Sequence, residues 1–468
     1  MKTLFALNLL IFVTACSHPL EIVGNGDIIS STGKNDCLWE ERSCANYVTG
    51  DYDVTYAALP AAGWIFSGWK GCGDQWPKCS FKVPSSTVDL LWGKTAPALT
   101  AVFTQIANYP SITTSAVWSA VAATLTIEVS ASIITPTTVR LYPNGIDDAW
   151  VEVDTSAPFS FTIDASAFTP GDHEMVIIAS DGDMSVSKNE FITVSGCNGT
   201  HSLCSRSYDT VRYATTHNAM SNAANGWVGP NQNLTVPDQL AFGVRALMLD
   251  SYKAGNLNPF NQIQVPDADP DTAYLCHAVC SLGKQLLEDG LREIVTFLDE
   301  NPGAVVTLII ESYLPHDLTA AAFNTANLKQ YAYQHEGGAW PTLGQMIDMG
   351  MRLVVLQDVS VDPAYPWLMN VWDHAFETDY SAAVPEDFSC DINRGTGSND
   401  LFIFNNFLTN VFGSPALAEQ VNHNPALMDR IGECEAVHAT PANFVTVDFI
   451  DIGDTILAIQ TLNDSGGF

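Results

Sequence analysis

Gly243-Val-Arg-Ala-Leu-Met-Leu-Asp250 decides the fold of this chain: a turn glycine, an apolar run of buried-strand length, and a carboxylate at its end. Runs of the same kind recur at Tyr213 to His217, Val305-Val-Thr-Leu-Ile-Ile-Glu311, Arg352 to Gln357, Leu401 to Phe407 and Phe444 to Ile450. Between them, Leu287, Leu291, Ile294 and Leu298 keep helical spacing, and Asn301-Pro302 ends the segment. Strands alternating with helices predict an α/β, TIM-type (β/α) barrel, distorted from the ideal, over residues 197–468.

Upstream of it the texture is strands alone. Residues 16–105 are dense in Gly, Trp, Thr and Val, with short runs such as Tyr52-Asp-Val-Thr-Tyr-Ala-Ala-Leu59 and four cysteines besides Cys16, which predicts a small disulfide-stapled β module. Within it, Gly63-Trp-Ile-Phe-Ser-Gly-Trp-Lys-Gly-Cys72 resembles the core of the divergent bacterial repeat of secreted proteins. Residues 106–196 alternate apolar and polar positions at Ala123 to Val129, Thr138 to Tyr142, Phe159 to Ile163 and Glu174 to Ala179, the pattern of an immunoglobulin-like sandwich. The architecture expected is therefore multidomain, two small all-β modules followed by the barrel.

The 468 residues carry 19 Lys and Arg against 52 Asp and Glu, a formal charge of -33, so nucleic acid is repelled at long range. Any phosphate must be met by local positive groups or a metal ion. The N-terminus has one early lysine and an apolar stretch too short to span a bilayer, which reads as a signal peptide over residues 1–15. Val13-Thr-Ala-Cys16 resembles the bacterial lipobox. That resemblance implies lipidation of Cys16, anchorage to a membrane and, with Ser17 following, an outer-membrane lipoprotein. Beyond Cys16 ten cysteines remain, an even number suited to an oxidising compartment. Their clustering suggests Cys37 with Cys44, Cys72 with Cys79, Cys197 with Cys204, Cys276 with Cys280, and Cys390 with Cys434.

In a β/α barrel, residues at the C-terminal strand ends form the site, and His217, Asp250 and Glu311 all occupy that position. Side chains alternate along a strand, so Asp250 shares a face with Met248, and Glu311 with Ile309 and Thr307. His277 lies in Leu275-Cys-His-Ala-Val-Cys280. A histidine pair with oxygen ligands for a hard cation suits cleavage of a phosphate diester.

Thr216-His-Asn218, Gly243-Val-Arg-Ala-Leu-Met-Leu-Asp250, the Leu-Cys-His motif ending at His277, Asn301-Pro-x-x-Val-Val-x-Leu-x-x-Glu311 and Val447-Asp-Phe449 together resemble the catalytic X domain of phosphatidylinositol-specific phospholipase C and its wider phosphodiesterase superfamily. The resemblance implies that His217 and His277 are the two catalytic histidines and that Asn218, Asp250 and Glu311 are Ca2+ ligands. It implies a phospholipid or related phosphodiester as substrate. One departure stands out: the metal-dependent branch has a further acid two residues before the aspartate, where this chain has Met248. Tyr313, Trp372, Asp373 and Arg394 are candidates for shaping the substrate pocket.

An alternative of another class is a catalytically inactive barrel serving as a surface adhesion module, which Met248 favours and the retained histidines and acids disfavour. No Gly-x-Ser-x-Gly elbow and no His-Glu-x-x-His motif is present, which excludes the commonest serine hydrolase and zinc protease signatures.

Overall fold

The structure, a computed structural model, describes residues 16–466 apart from 33–34, 49–51, 62, 73–77, 84–97, 106–110, 133, 147, 182–184, 255–271, 278 and 411. The expected signal peptide of residues 1–15 lies outside the described residues. Contacts divide the chain into two units, one from residues up to Trp118 with Thr124–Ala165 and Gly171–Val194, the other from Ser119–Ala123, Ser166–Pro170 and Ser195–Phe468. Residues 16–105 fall in the first unit, as do residues 106–196 apart from Ser119–Ala123, Ser166–Pro170 and the last two positions.

That first unit is all strand. A four-stranded and a three-stranded sheet are built from strands between Cys16–Val23 and Leu99–Gln105, and a further four-stranded and three-stranded pair from strands between Ile112–Ser119 and Ser185–Val194. Alternation in the sequence becomes alternation in burial: Phe159, Phe161 and Ile163 are buried while Ser160, Thr162 and Asp164 face out, in antiparallel register with Thr124–Ala131. Disulfides Cys37–Cys44 and Cys72–Cys79 staple the stretch that has the smaller core.

The second unit is a curled sheet of parallel strands with helices outside. Its strands are β1 (Tyr213–Thr216), β2 (Ala246–Lys253), β3 (Val306–Ser312), β4 (Leu353–Gln357), β5 (Leu368–Asn370), β6 (Ala375–Thr378), β7 (Leu401–Asn405) and β8 (Phe444–Val447). Parallel pairing runs β5-β4-β3-β2-β1-β8-β7-β6. The expected barrel is distorted in one definite way: among the described residues no ladder joins β5 to β6. Only Val371–His374 separates them. Four residues fall far short of the roughly dozen that a parallel crossover needs, so the ring opens at that seam.

Helices α1 (Val236–Phe242), α2 (Leu287–Glu300), α3 (His316–Thr325), α4 (Leu343–Asp348), α5 (Val371–His374), α6 (Pro415–Val421), α7 (Ala426–His438) and α8 (Thr455–Asp464) follow in chain order. Helix α2 forms where Leu287, Leu291, Ile294 and Leu298 repeat, buries those four against the sheet, and ends at Asn301, whose side-chain amide donates to the Phe297 carbonyl. One core joins the outward strand faces, including Leu247, Leu249, Leu308, Ile310, Phe402 and Val445, to the apolar helix faces. Disulfide Cys390–Cys434 ties the loop after β6 to α7.

The first and last strands of the unit are tied by an ion pair that is nearly inaccessible to solvent. Arg212, just before β1, donates from Nε to Glu435 Oε1 of α7 at 2.5 Å and from Nη2 to Oε2 at 2.9 Å, and Glu435 also accepts from the Ala442 amide ahead of β8. Glu435→Ala leaves a guanidinium uncompensated in the interior and is expected to lower the unfolding free energy by about 3–5 kcal/mol in urea denaturation. The paired change Arg212→Met with Glu435→Leu, which removes both charges, is expected to recover most of that loss.

Candidate active site

The parallel register places every strand C-terminus at one edge, and a cleft of about 380 Å³ opens there. His217, Asn218, Met248, Asp250, His277, Glu311, Tyr313, Trp372 and Arg394 are among its walls. Thus His217 and His277, distant in sequence, share one opening with both acids. Asp373, expected beside Trp372, is exposed on the single turn of α5 and is not part of the wall. Successive residues of a helical turn point about 100° apart, and this turn puts Trp372 in the wall while Asp373 stays exposed.

His217 is the first residue after β1 and its amide donates to the Val447 carbonyl of β8 at 3.0 Å. Its Nδ1 lies 2.8 Å from Asp448 Oδ1, the residue that follows β8. The Asn231 side-chain amide donates to both Asp448 oxygens, at 3.1 and 3.3 Å, which leaves the carboxylate little freedom. The Gln232 amide donates to the backbone carbonyls of His217 and Val447. On its open face the His217 ring stacks on Phe407, with centroids 3.9 Å apart and planes within 9°. The imidazole is therefore fixed in tilt by a ring and in rotation by a carboxylate.

Asn218 sits at φ 46°, a left-handed conformation that asparagine tolerates better than most side chains. From there its Nδ2 lies 3.0 Å from His217 Nε2 and 3.3 Å from His277 Nε2, so one amide spans both rings. His277 is held in a tight loop between Cys276 and Cys280, which are joined as a disulfide. Burial, and then the neighbouring His217, lowers the His277 imidazole below the ordinary histidine range, with Asp448 and Glu311 pulling the other way.

Opposite the histidines stands a row of acids. Asp250 and Glu311 are direct partners in the β2–β3 ladder, and Asp358 follows Gln357 at the end of β4. Burial pushes Asp250 well above the usual carboxylate range, and the Glu311 and Asp358 charges add to the shift. Burial raises Asp358 also, against the Ser312 amide that donates to its Oδ1 at 2.9 Å. Tyr313 donates its hydroxyl to Glu311 and stacks on Tyr252 at 4.5 Å. Arg394 is the one guanidinium among the described wall residues, and it is engaged with buried Glu377 and lies over the rings of Trp372 and Tyr380.

Reading strand ends in sequence missed Asp448, Asp358 and Glu377. The first two carry the same signal as Asp250 and Glu311, a carboxylate just past an apolar run, at Val447-Asp448 and Gln357-Asp358. Glu377 and Phe407 carry none, since a buried glutamate inside a strand and a phenylalanine after one have no distinctive local pattern.

The class that the fold and cleft define is a parallel β/α sheet carrying paired imidazoles and carboxylates at its strand ends. The chain belongs to the PI-PLC X family, whose model, described as PI-PLC X 1, matches residues 203–463, more than half of the chain. It is similar to a PI-PLC X domain-containing protein 1 of Arthroderma benhamiae, 29% identical over 296 residues, covering 57% of this chain and 89% of that protein. An uncharacterized secreted protein of the same fungus is 27% identical over 286 residues, covering 55% of this chain and 61% of that protein. A phosphatidylinositol-specific phospholipase C variant from Staphylococcus aureus matches at 13% identity and a TM-score of 0.37, over 55% of this chain and 92% of that one.

Glu377 is 2% exposed, and its strongest partner is Arg394. Arg394→Ala leaves it only the side-chain amides of Asn393 and Asn405, and the expected cost is about 1–3 kcal/mol of stability in urea denaturation.

Proposed function

We propose that this protein cleaves a phosphodiester of a phospholipid or related headgroup, with His217 as general base and His277 as general acid. The observation that carries the reading is the Asn218 amide spanning the two Nε2 atoms while Asp448 engages the far side of His217. With Asp448 accepting from Nδ1–H, Nε2 of His217 carries the lone pair, the form in which it removes a proton. If the substrate bears a hydroxyl next to its phosphate, as inositol does, that hydroxyl gives its proton to His217 and its oxygen bonds to phosphorus. The bond from phosphorus to the leaving alkoxide breaks, and His277, protonated once the phosphate's negative charge enters beside it, supplies that alkoxide with a proton, leaving a cyclic phosphate. With no such hydroxyl, water takes its place.

The chemistry of the row Asp250, Glu311 and Asp358 fits a hard divalent cation such as Ca2+, because all three offer oxygen and the one guanidinium in the wall is engaged elsewhere. When bound, such an ion neutralises charge developing on phosphoryl oxygens. Asn218, expected as a ligand, has its amide nitrogen turned to the imidazoles, so its part in the reading is to set their spacing, with only its oxygen left for a cation. Trp372, Tyr313 and Arg394 shape the mouth that receives the headgroup.

Five disulfides and a relative described as secreted support export of the chain. Within the same reading, Cys16 is the lipid attachment point, and residues 16–105 and 106–196, the latter immunoglobulin-like, act as spacers that present residues 197–468 to a lipid surface.

Incubation of the full chain with a panel of phosphodiesters, phosphatidylinositol and glycerophosphodiesters included, tests the reading. His217→Ala and His277→Ala are each expected to lower kcat about 10²–10⁴-fold. Equal turnover by wild type and the double variant removes the proposal and leaves a binding role. Asp448→Asn, which keeps the shape but weakens the hold on Nδ1, is expected to lower kcat by at least about 10²-fold with KM little changed.

A further inference from the structure

The phospholipase resemblance implies an acid two residues before Asp250, and Met248, which stands there, supplies no oxygen. Met248 does line the cleft, facing the same opening as Asp250, so the missing charge is missing from the site itself. Something else must balance it if the site holds a divalent ion. The only residues that can do so are those whose side chains reach the same opening.

We propose that Asp358, from the end of the neighbouring strand β4, supplies the third carboxylate of a divalent-cation site with Asp250 and Glu311, in place of the acid lost at Met248. Three features of the structure support it. Asp250 and Glu311 are register partners, Ile310 pairs with Gln357, and the Asp358 amide donates to the Ile310 carbonyl at 3.1 Å, so three adjacent strands each present one acid at the same level. Asp358 Oδ1 is tied to the Ser312 amide, which orients the carboxylate and leaves Oδ2 for the cleft that the residue lines. Asp250, only 7% exposed, also faces that cleft, and its carboxylate forms no hydrogen bond among the described residues. A buried carboxylate with neither donor nor cation is costly, and two further acids beside it raise the cost. A bound cation removes it.

Oxygen-only donors select a hard ion such as Ca2+, Mg2+ or Mn2+ over zinc or copper. Among the described residues, the trio of acid, histidine or cysteine donors within 4.8 Å of one another is Cys37, Glu41 and Cys44, whose thiols are spent on a disulfide. The Asp250, Glu311 and Asp358 oxygens do not all lie within that distance of one another, so shared coordination of one ion requires their side chains to close around it.

The inference rests on the phosphodiesterase reading for its purpose, but its test needs no substrate. Titration calorimetry of the full chain with Ca2+ is expected to detect one site, and calcium is expected to raise the thermal midpoint of the barrel unit. Asp358→Asn, which keeps an acceptor for the Ser312 amide, is expected to weaken calcium at least about tenfold. Met248→Glu added to Asp358→Asn is expected to restore it, because the charge returns to the same cleft. Asp358→Glu, which keeps the charge, serves as the folding control and is expected to retain binding, with all variants compared for thermal midpoint in chelator. Wild-type affinity in Asp358→Asn, or no binding of Ca2+, Mg2+ or Mn2+ by wild type, overturns the inference. Turnover that is indifferent to chelator, with no ion bound, sinks the cation site and leaves the histidine chemistry standing. Asp358-dependent binding without turnover on any diester does the reverse.

Discussion

The hold of Asp448 on His217 is the contact on which the candidate site depends, and it exists only because β1 lies between β8 and β2. Residues that follow two hydrogen-bonded parallel strands emerge side by side, so a carboxylate after β8 and an imidazole after β1 meet at 2.8 Å although 231 positions separate them. The same pairing sets the opposite wall: β2 and β3 in register bring Asp250 beside Glu311, and β4 adds Asp358. A slip of one residue in either ladder would turn these side chains to the other face of the sheet. The buried Arg212–Glu435 pair stands at the base of β1.

Charge gives the cleft its character. A chain with 52 acidic and 19 basic residues has a surface that repels anions, yet a phosphodiester is an anion. The wall offers one guanidinium, engaged with Glu377, and two imidazoles, so under the proposed reading the attraction for phosphate comes from protonated histidine or from a cation. Burial adds to this, since the low dielectric that raises Asp250 also strengthens every charge–charge interaction within the cleft.

The seam between β5 and β6 shapes the same cleft. Trp372 stands on the short turn that crosses it, and Arg394 lies over Trp372 from the antiparallel strand Ile392–Arg394 beside β6. Disulfide Cys390–Cys434 anchors the approach to that strand on α7. The open side of the ring is thus covered by aromatic and guanidinium side chains, and a backbone ladder plays no part there.

Local pattern determined a good deal. Apolar runs of strand length, the helical repeat from Leu287 to Leu298, and acids or a histidine at strand ends were legible because each depends on neighbours within a few residues. So were the disulfide pairs, whose partners stand 4 or 7 positions apart in four of five bridges. Tertiary structure alone decided the rest: that Asp448 orients His217, that Asn218 spans two rings, that Asp358 joins Asp250 and Glu311, and that the ring opens after β5. These depend on which strand lies beside which and on where a side chain finds room, and neither is written in the spacing of residues along the chain.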